Sequence, residues 1–476
     1  MNLFKDMVCY QEEVRDPSRI AEVLNRVIEK AIRGSAPAQI NVPRDYWTQV
    51  IDIELPPIVR LERQAGGAAA IEEAAELLSS AKFPVILSGA GVVIGGAIKD
   101  CVKLAEKLDS PVCSGYQHND SFPGSHPLAV GPLGYNGSKA AMELIAKADV
   151  VLALGTRLNP FSTLPGYGID YWPKNAKIIQ VDMNSDRIGL TKKVTIGICG
   201  DAKLVAQQLL SKLSPKAGDA DRQKRKDLIH QTKSAWLQKL SSLDHEEDDP
   251  GTVWNKEARD RDKDRMSPRQ AWRAIQAGMP EDVIISSDIG NNCAIGNAYP
   301  TFEKGRKYLA PGLFGPCGYG FPSILGAKIG CPETPVIGFA GDGAFGISMN
   351  EMSSCAREEW PAISMVIFRN YQWGAEKRNT TLWFDNNFIG TELDPKLSYA
   401  KVANACGLKG VTVKTMDETT KAIKQSCEDQ KKGITTFIEV ILNQELGEPF
   451  RRDAMKKPVR VAGIKKEDMK PQKGLN

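Results

Sequence analysis

PVIGFAGDG, residues 335–343, brings an apolar run directly up to Gly341, Asp342 and Gly343. The run is typical of a buried parallel strand, so the three residues after it fall where such a strand ends and a helix begins. Two glycines let the backbone approach a phosphate closely, while the aspartate carboxylate points at a cation. The stretch therefore predicts an α/β fold with an anion and metal site at this junction.

A second apolar run, residues 362–368 (AISMVIF), ends just before Asn370 and predicts a neighbouring strand. Mg²⁺ prefers a near-octahedral set of oxygens, usually one or two protein groups completed by ligand phosphates and water. The Asp342 carboxylate, the Asn370 amide oxygen and a backbone carbonyl near Gln372 provide three such groups. We therefore predict that these residues bind magnesium together with a diphosphate.

A third candidate strand, residues 283–287, leads through Asp288 into Gly290, Asn291 and Asn292. If a helix begins there, its backbone N–H groups and the two amide side chains are placed to receive phosphate oxygens. An ordinary turn is the alternative. The nearby Gly-Asp-Gly segment favours contact with a bound diphosphate cofactor.

The run GLFGPCGYGFP, residues 312–322, is dense in glycine, a composition that allows tight turns and close backbone approach. Cys317 in its centre has the character of a small buried apolar residue. A nucleophilic or redox role is disfavoured, because no Lys, Arg or His stands beside it to lower the pKa of its thiol.

Composition sets the class of protein. The chain has 476 residues, 42% of them apolar and 25% charged, which is typical of a multidomain α/β enzyme. A net charge of +4 indicates no nucleic-acid partner. Ten scattered cysteines without metal spacing predict a cytoplasmic protein with reduced thiols, and no apolar stretch approaches the roughly 20 residues of a membrane span. The last of the four histidines is His245, so no histidine is available for proton transfer in the C-terminal half. Such transfer needs a bound cofactor, carboxylates, lysines or water.

Alternating strand and helix patterns predict doubly wound parallel sheets, with a Rossmann-like central domain. The predicted division is a first segment that reads as the end of a domain, a central domain, a charged linker, a C-terminal domain and a basic tail: 1–50, 66–213, 214–266, 267–455 and 456–476. The linker is expected to be solvated and partly helical, with a basic binding tract as the alternative.

The central domain carries a loose dinucleotide-like pattern. Residues 89–96 (GAGVVIGG) follow a candidate strand, and Asp182 ends another, but the spacing is not that of a true dinucleotide fingerprint. We expect a structural domain, with FAD or another nucleotide as the less favoured alternative.

The spacing from Gly341-Asp342-Gly343 to Asn370 resembles the thiamine-diphosphate motif of the acetolactate synthase-like enzymes. Segments outside that motif, among them YQEEVRDPSRIAEVLNRVIEKA, CGYGFPSILGAK, NYQWGAEKRN and ELGEPFRRDAMKKPVR, are similar to the acetyltransferases that act on sulfoacetaldehyde. The resemblance implies a reaction of sulfoacetaldehyde with phosphate that gives acetyl phosphate and sulfite. A pyruvate carboligase and a catalytically silent cofactor-binding homologue are the alternatives.

The resemblance also implies where thiamine diphosphate and Mg²⁺ are bound, and it places Cys317 as the apolar wedge beneath the cofactor rings. The cofactor-binding residues are expected to be Gly290, Asn291, Asn292, Cys317, Gly318, Tyr319, Gly341, Asp342, Gly343, Ala344, Asn370, Gln372 and Trp373. Lys377, Arg451 and Arg452 are candidate contacts for the anionic substrates, because cations suit sulfonate and phosphate. Each arginine taken singly is explained equally well as part of an exposed basic tail.

In such enzymes a glutamate of the N-terminal domain activates the cofactor, and active sites form between subunits. The first residues here are similar only to the end of that domain, so the resemblance implies a chain shortened at its N-terminus, with no residue assigned to that glutamate. A homodimer or homotetramer is implied. Arg369 departs from the asparagine or histidine usual before Asn370.

Overall fold

A computed structural model describes residues 2–57, 62–213, 220–243, 262–312, 314–357, 359–383 and 387–444 of the chain. Within these residues the fold is α/β, as the strand and helix alternation predicts, with two separate six-stranded parallel sheets and a small two-stranded one.

The first segment is a small unit of β1 (Tyr10–Glu13), α1 (Ile20–Gly34) and β2 (Ala38–Asn41). The two strands pair in parallel, and α1 packs on them through Val23 and Val27. Apolar residues at helical spacing favour the helix, and AQINV is typical of a short strand. The first strand has no such signal, because YQEE has no apolar run.

The central sheet has six strands in the order β5-β4-β3-β6-β7-β8, all paired in parallel. Its strands are β3 (Pro84–Ser88), β4 (Val112–Ser114), β5 (Ala129–Pro132), β6 (Val150–Leu154), β7 (Lys177–Asp182) and β8 (Ile196–Cys199). β3 and β6 are buried along their whole length. Continuous apolar runs are what a parallel sheet covered on both faces requires, so both strands were predictable.

Helices cover this sheet: α2 (Ala68–Ser80), α3 (Ala90–Ile94), α4 (Ile98–Leu108), α5 (Lys139–Ile145) and α6 (Ala202–Lys212). Each buries one apolar face in a continuous core with the strands. The N-cap of α6 is Asp201, whose carboxylate accepts from the N–H groups of Lys203 and Leu204 and satisfies two donors of the first turn.

The charged segment is not simply a solvated linker. α7 (Ala220–Leu243) buries Ile229 in the central core, and Trp236 and Leu240 in the C-terminal core. Arg225 is only 4% exposed and donates to the carbonyls of residues 82, 108 and 109. The segment is partly helical, as expected. The expectation that it is solvated is wrong for the face of α7 that carries Arg225, Ile229, Trp236 and Leu240. High charge concealed an apolar stripe that joins the two cores.

The C-terminal sheet has the order β10-β9-β11-β12-β14-β13, again with parallel pairing throughout. Its strands are β9 (Ile284–Ser287), β10 (Tyr308–Leu309), β11 (Val336–Gly341), β12 (Ser364–Arg369), β13 (Lys409–Val413) and β14 (Thr436–Ile441). The predicted runs around residues 335–340 and 362–368 are therefore neighbouring strands, and their carboxyl ends meet at one edge.

The helices of this half begin with α8 (Pro268–Gly278), which starts at a capping box formed by Ser267 and Gln270. The others are α9 (Asn291–Ile295), α10 (Gly320–Gly330), α11 (Asp342–Ser348), α12 (Met352–Cys355), α13 (Gly374–Trp383), α14 (Tyr399–Ala405) and α15 (Met416–Gln430). None of the described helices combines the length and apolar character that a membrane span requires.

A buried asparagine joins the two halves. The Asn297 amide oxygen accepts from the backbone N–H of Gln117 at 3.1 Å, and its Nδ2 donates to the carbonyl of Tyr135 at 3.1 Å. Asn119 donates back to the Asn297 carbonyl at 2.9 Å. The carboxyl end of the central sheet therefore lies against α9, next to the candidate site.

Candidate cofactor site

Asp342 is the first residue of α11 and follows β11 directly, as predicted. Its Oδ2 accepts from the backbone N–H of Tyr371 at 2.7 Å and from Nη1 of Arg369 at 3.0 Å, while Oδ1 accepts from the Gly343 N–H at 3.0 Å. Burial raises the pKa of the carboxyl to about 6, with the Arg369 guanidinium and the backbone donors acting in the opposite direction. The carboxylate is thus fixed in direction at the edge of the sheet.

Asn370 lies at the end of β12 and is 1% exposed. Within the described residues neither its Oδ1 nor its Nδ2 has a hydrogen-bond partner. A buried amide left in that state costs about 1–3 kcal/mol, which is expected where the partner is a ligand. The backbone N–H of its neighbour Tyr371 donates to Asp342, so Asn370 lies in the segment that is bonded to the carboxylate.

Gln372 is buried as well. Its Nε2 donates to the Gln444 carbonyl at 3.0 Å, and no partner for its Oε1 lies within the described chain. Carboxylate, amide and carbonyl oxygens are the donors that Mg²⁺ selects. The residues present at this edge therefore fit a magnesium ion.

The second junction for which phosphate contact is predicted is formed by β9 and α9. Gly290 has φ 132°, a conformation that glycine adopts without strain, and it precedes Asn291 and Asn292 at the start of the helix. A side chain placed on Gly290 or on Gly341 would meet no atom within 4 Å. Open space thus lies before both strand ends.

The two asparagines are held differently. The Asn291 amide oxygen accepts from Nη1 of Arg378 at 2.8 Å. The Asn292 carbonyl accepts from the indole of Trp272 at 2.7 Å, while its side-chain Oδ1 has no partner in the described part of the chain. The amide oxygen of Asn292 is therefore the one whose bonding is incomplete.

Asp288 organises the glycine-dense run, a role that the sequence did not reveal. Its carboxylate accepts from the N–H groups of Gly318 at 3.1 Å and Gly320 at 2.7 Å, and so ties this segment to the end of β9. Burial raises the pKa of Asp288, against these backbone bonds. The only available signal was an acid directly after an apolar run.

Cys317 and Tyr319 lie in this fixed segment, and both are partly buried. Burial raises the pKa of the Cys317 thiol, and the carboxylates of Asp288 and Glu376 add to the effect. The expectation that Cys317 is not an activated nucleophile agrees with this environment. The wedge role stays a prediction.

Trp373 packs directly on Gly343. A Cβ on that glycine would lie 2.9 Å from the indole ring, so only glycine leaves room for the tryptophan there. Ala344, the next residue, is buried. Two predicted cofactor-binding residues, Gly343 of α11 and Trp373 after β12, therefore lie in contact.

Lys377 contacts Gln444, the residue whose carbonyl accepts from Gln372. Its Nζ forms an ion pair with Glu392 and a hydrogen bond with the Gln444 amide oxygen at 3.4 Å, and it lies 5.1 Å from the ring centroid of Phe388. Arg451 and Arg452 lie outside the described residues. The substrate role of all three stays a prediction.

The dinucleotide-like glycines of the central sheet have a packing explanation. A Cβ on Gly91 would lie 2.7 Å from the backbone of Gly155, and one on Gly89 would lie 2.5 Å from Thr156. Asp182 receives the N–H of Asn184 at 2.9 Å and closes a turn. These residues bring two backbones together at the centre of the sheet.

Two family models match the chain. The "Thiamine pyrophosphate enzyme, central domain" matches residues 71–209, and the "Thiamine pyrophosphate enzyme, C-terminal TPP binding domain" matches residues 288–440. Both fall within the corresponding predicted domains.

Named relatives and a solved structure are also similar. The chain is 78% identical over 475 residues to a "Probable sulfoacetaldehyde acetyltransferase" of Rhizobium meliloti, covering 100% of this chain and 80% of that protein. It is 73% identical to a "Sulfoacetaldehyde acetyltransferase" of Roseovarius nubinhibens, with coverage of 99% and 78%. A thiamine diphosphate-dependent 4-hydroxybenzoylformate decarboxylase of Rhodococcus jostii superposes with a TM-score of 0.71 at 22% identity, with coverage of 93% and 77%, which shows the shared fold.

Proposed function

This chain belongs to the family of thiamine pyrophosphate enzymes, and we propose that it converts sulfoacetaldehyde and phosphate into acetyl phosphate and sulfite. The observation that carries the choice of reaction is the identity of 78% to a relative named for sulfoacetaldehyde acetyl transfer. What supports the cofactor is the edge of the C-terminal sheet, where Asp342 and Asn370 meet.

Asp342, Asn370 and the Gln372 carbonyl would hold Mg²⁺, and the open junctions at Gly290 and Gly341 would receive the diphosphate. The Asn292 amide oxygen and the Asn370 amide, which have no partners within the described residues, then gain them. When bound, thiamine diphosphate supplies a nucleophilic carbon and an electron sink for the aldehyde carbon. Anchoring at both strand ends fixes that carbon relative to the protein.

The protein has to bind two anions and exclude water. The sulfonate leaves as sulfite from the carbon next to the aldehyde carbon, and phosphate takes up the acetyl group in place of water. Lys377, Arg451 and Arg452 are proposed to hold the sulfonate or phosphate, because fixed cations stabilise anionic groups in a dry site. Cys317 and Tyr319 are proposed to lie against the cofactor rings.

The reaction is tested by incubating the purified chain with thiamine diphosphate, Mg²⁺, sulfoacetaldehyde and phosphate. Sulfite and acetyl phosphate should appear in equal amounts. CO₂ released from pyruvate instead would identify a carboligase. Absence of both reactions, with cofactor binding retained in calorimetry, would identify a silent cofactor-binding homologue.

The oligomeric state is proposed to be a homodimer or homotetramer, and the division at residues 66–213 and 267–455 is proposed as the domain organisation. Light scattering on the purified chain measures the first. Limited proteolysis followed by mass spectrometry of the fragments locates the domain boundaries.

A further inference from the structure

A buried arginine stands between two carboxylates behind the proposed magnesium site. Arg369, at the end of β12, is 1% exposed. Its Nη1 lies 3.0 Å from Oδ2 of Asp342 on one side, and its Nε lies 3.8 Å from Oε1 of Glu439 on the other. Both acids are almost fully buried too. A charge placed so deeply needs such partners.

The guanidinium is held on its remaining sides. Its Nη2 donates to the carbonyls of Asp394 and Leu397, the latter at 3.0 Å. The ring centroid of Tyr371 lies 4.2 Å from the guanidinium carbon, and that of Tyr399 lies 5.4 Å away. A planar fork that stacks on rings while it donates at its edge is specific to arginine and is not reproduced by lysine.

The partners of Arg369 are themselves tied to one another. Glu439 on β14 accepts from the Ser398 hydroxyl at 2.6 Å and from the Tyr399 N–H at 3.1 Å. The Tyr399 hydroxyl donates to the backbone carbonyl of Asp342 at 2.8 Å. The start of α14 is thus connected to the start of α11 through one polar cluster, with Arg369 at its centre.

The bonding divides the two oxygens of Asp342. Oδ2 has two donors, Arg369 and the Tyr371 N–H, whereas within the described residues Oδ1 accepts from the N–H of Gly343 alone. A carboxylate whose one oxygen is fixed by a rigid donor has a single direction for the other. Oδ1 is then the oxygen that keeps lone-pair capacity for a cation.

We propose that Arg369 is a positioning residue for magnesium, which holds Asp342 so that Oδ1 faces the ion and ties the segment before α14 to the metal site. The inference rests on the proposed cofactor site. The negative charge of Glu439 balances the positive charge of the Arg369 guanidinium, and this reduces electrostatic repulsion between Arg369 and the Mg²⁺ ion. Partners behind a metal ligand typically change metal affinity about 10–100-fold when they are removed.

The decisive variant is the double substitution Arg369→Met with Glu439→Gln. It removes one positive and one negative charge, so the net charge near Asp342 is unchanged, while the bond from Arg369 to Asp342 is lost together with its bonds to the Asp394 and Leu397 carbonyls. Isothermal titration with Mg²⁺ at saturating thiamine diphosphate should show a dissociation constant at least about tenfold weaker than that of the unsubstituted chain. A dissociation constant within twofold, in a variant with an unchanged circular dichroism spectrum, overturns the inference.

Two further variants make the outcome unambiguous. Arg369→Lys keeps the charge without the planar fork, and its Mg²⁺ affinity should fall at least about threefold; unchanged affinity there also overturns the inference, even if the double variant does not fold. Arg225→Met, a buried arginine of α7 remote from the site, should lower the unfolding temperature without changing Mg²⁺ affinity. If the unsubstituted chain binds neither thiamine diphosphate nor Mg²⁺, the proposed cofactor site fails, and this inference fails with it.

Discussion

The central and C-terminal sheets share a plan and differ at their carboxyl edges. Each has six parallel strands with helices on both sides, and in each the chain passes from a buried strand into a short helix near the middle of the sheet. In the central sheet that junction is closed, because Gly91 packs on the backbone of Gly155. In the C-terminal sheet the junction at Gly341 faces open space.

The polar groups at the two edges differ in the same way. Asp182 of the central sheet closes a turn of its own chain. Asp342 instead accepts from the backbone N–H of Tyr371, the residue after Asn370, whose buried amide has no partner within the described residues. A doubly wound sheet thus provides a place for a ligand, and the residues that follow the strands decide whether the place is used.

The largest difference is expected when the two aspartates are neutralised. Asp342→Asn removes the proposed anionic ligand and should weaken binding of Mg²⁺ with thiamine diphosphate by at least about 100-fold in titration calorimetry. Asp182→Asn keeps an oxygen acceptor for its turn and should leave the affinity unchanged. Equal affinities of the two variants for Mg²⁺ with thiamine diphosphate would show that the C-terminal edge does not bind the metal.

Asn370→Leu should separate function from stability. The substitution removes an amide oxygen proposed to bind the metal, so Mg²⁺ affinity should fall at least about tenfold. The same change removes two buried polar atoms that have no partners in the described part of the chain, and it should raise the free energy of unfolding of the cofactor-free chain by about 1 kcal/mol. Chemical denaturation without cofactor measures the second effect. A destabilised variant would show that the amide already has a structural partner.

Glycine substitutions test which edge is open. Gly91→Ala forces a Cβ to within 2.7 Å of the backbone of Gly155 and should cost about 1–3 kcal/mol of stability without weakening cofactor affinity. Gly341→Ala meets no atom within 4 Å and has an ordinary φ of −68°, so it should fold normally. Its methyl group would instead occupy space proposed for the diphosphate and reduce cofactor affinity. The reverse pattern of effects would contradict the comparison.

Several elements of both sheets were predictable from local sequence. The runs that became β3 and β11 are apolar along their length, as a strand covered on both faces must be. Gly341, Asp342 and Gly343 directly follow such a run, and so their position at the edge follows from the strand itself. The capping box at Ser267 is likewise local, because its bonds join residues of one helical turn.

Features that depend on distant pairings were not predictable. β1 is polar and is a strand only because it pairs with β2. The buried face of α7 was concealed by its charges, since the partners of Arg225 are carbonyls more than a hundred residues away. The role of Arg369 needs Asp342 from the start of α11 and Glu439 from β14. One sequence contains these residues but not the contacts between them.

The smallest expected effect is a pH dependence that belongs to the central sheet. Burial, with Arg157 nearby, lowers the pKa of His118 to about 4 from its ordinary 6.5. Between about pH 6.5 and 4, His118 is therefore protonated in the unfolded chain and neutral in the folded chain. The free energy of unfolding falls as pH falls through this range, by roughly 1 kcal/mol at pH 6.

Asp288 at the C-terminal sheet acts in the opposite direction, because burial raises its pKa and its contribution is lost as pH rises through the range between its ordinary and raised values. The free energy of unfolding is measured against pH for the unsubstituted chain and for His118→Asn. The difference between the two curves gives the contribution of His118, since Asp288 is present in both proteins. The difference should grow steadily between pH 7 and 5. A flat difference would show that His118 takes up its proton in the folded state as readily as in the unfolded chain, and that the central edge is open to water.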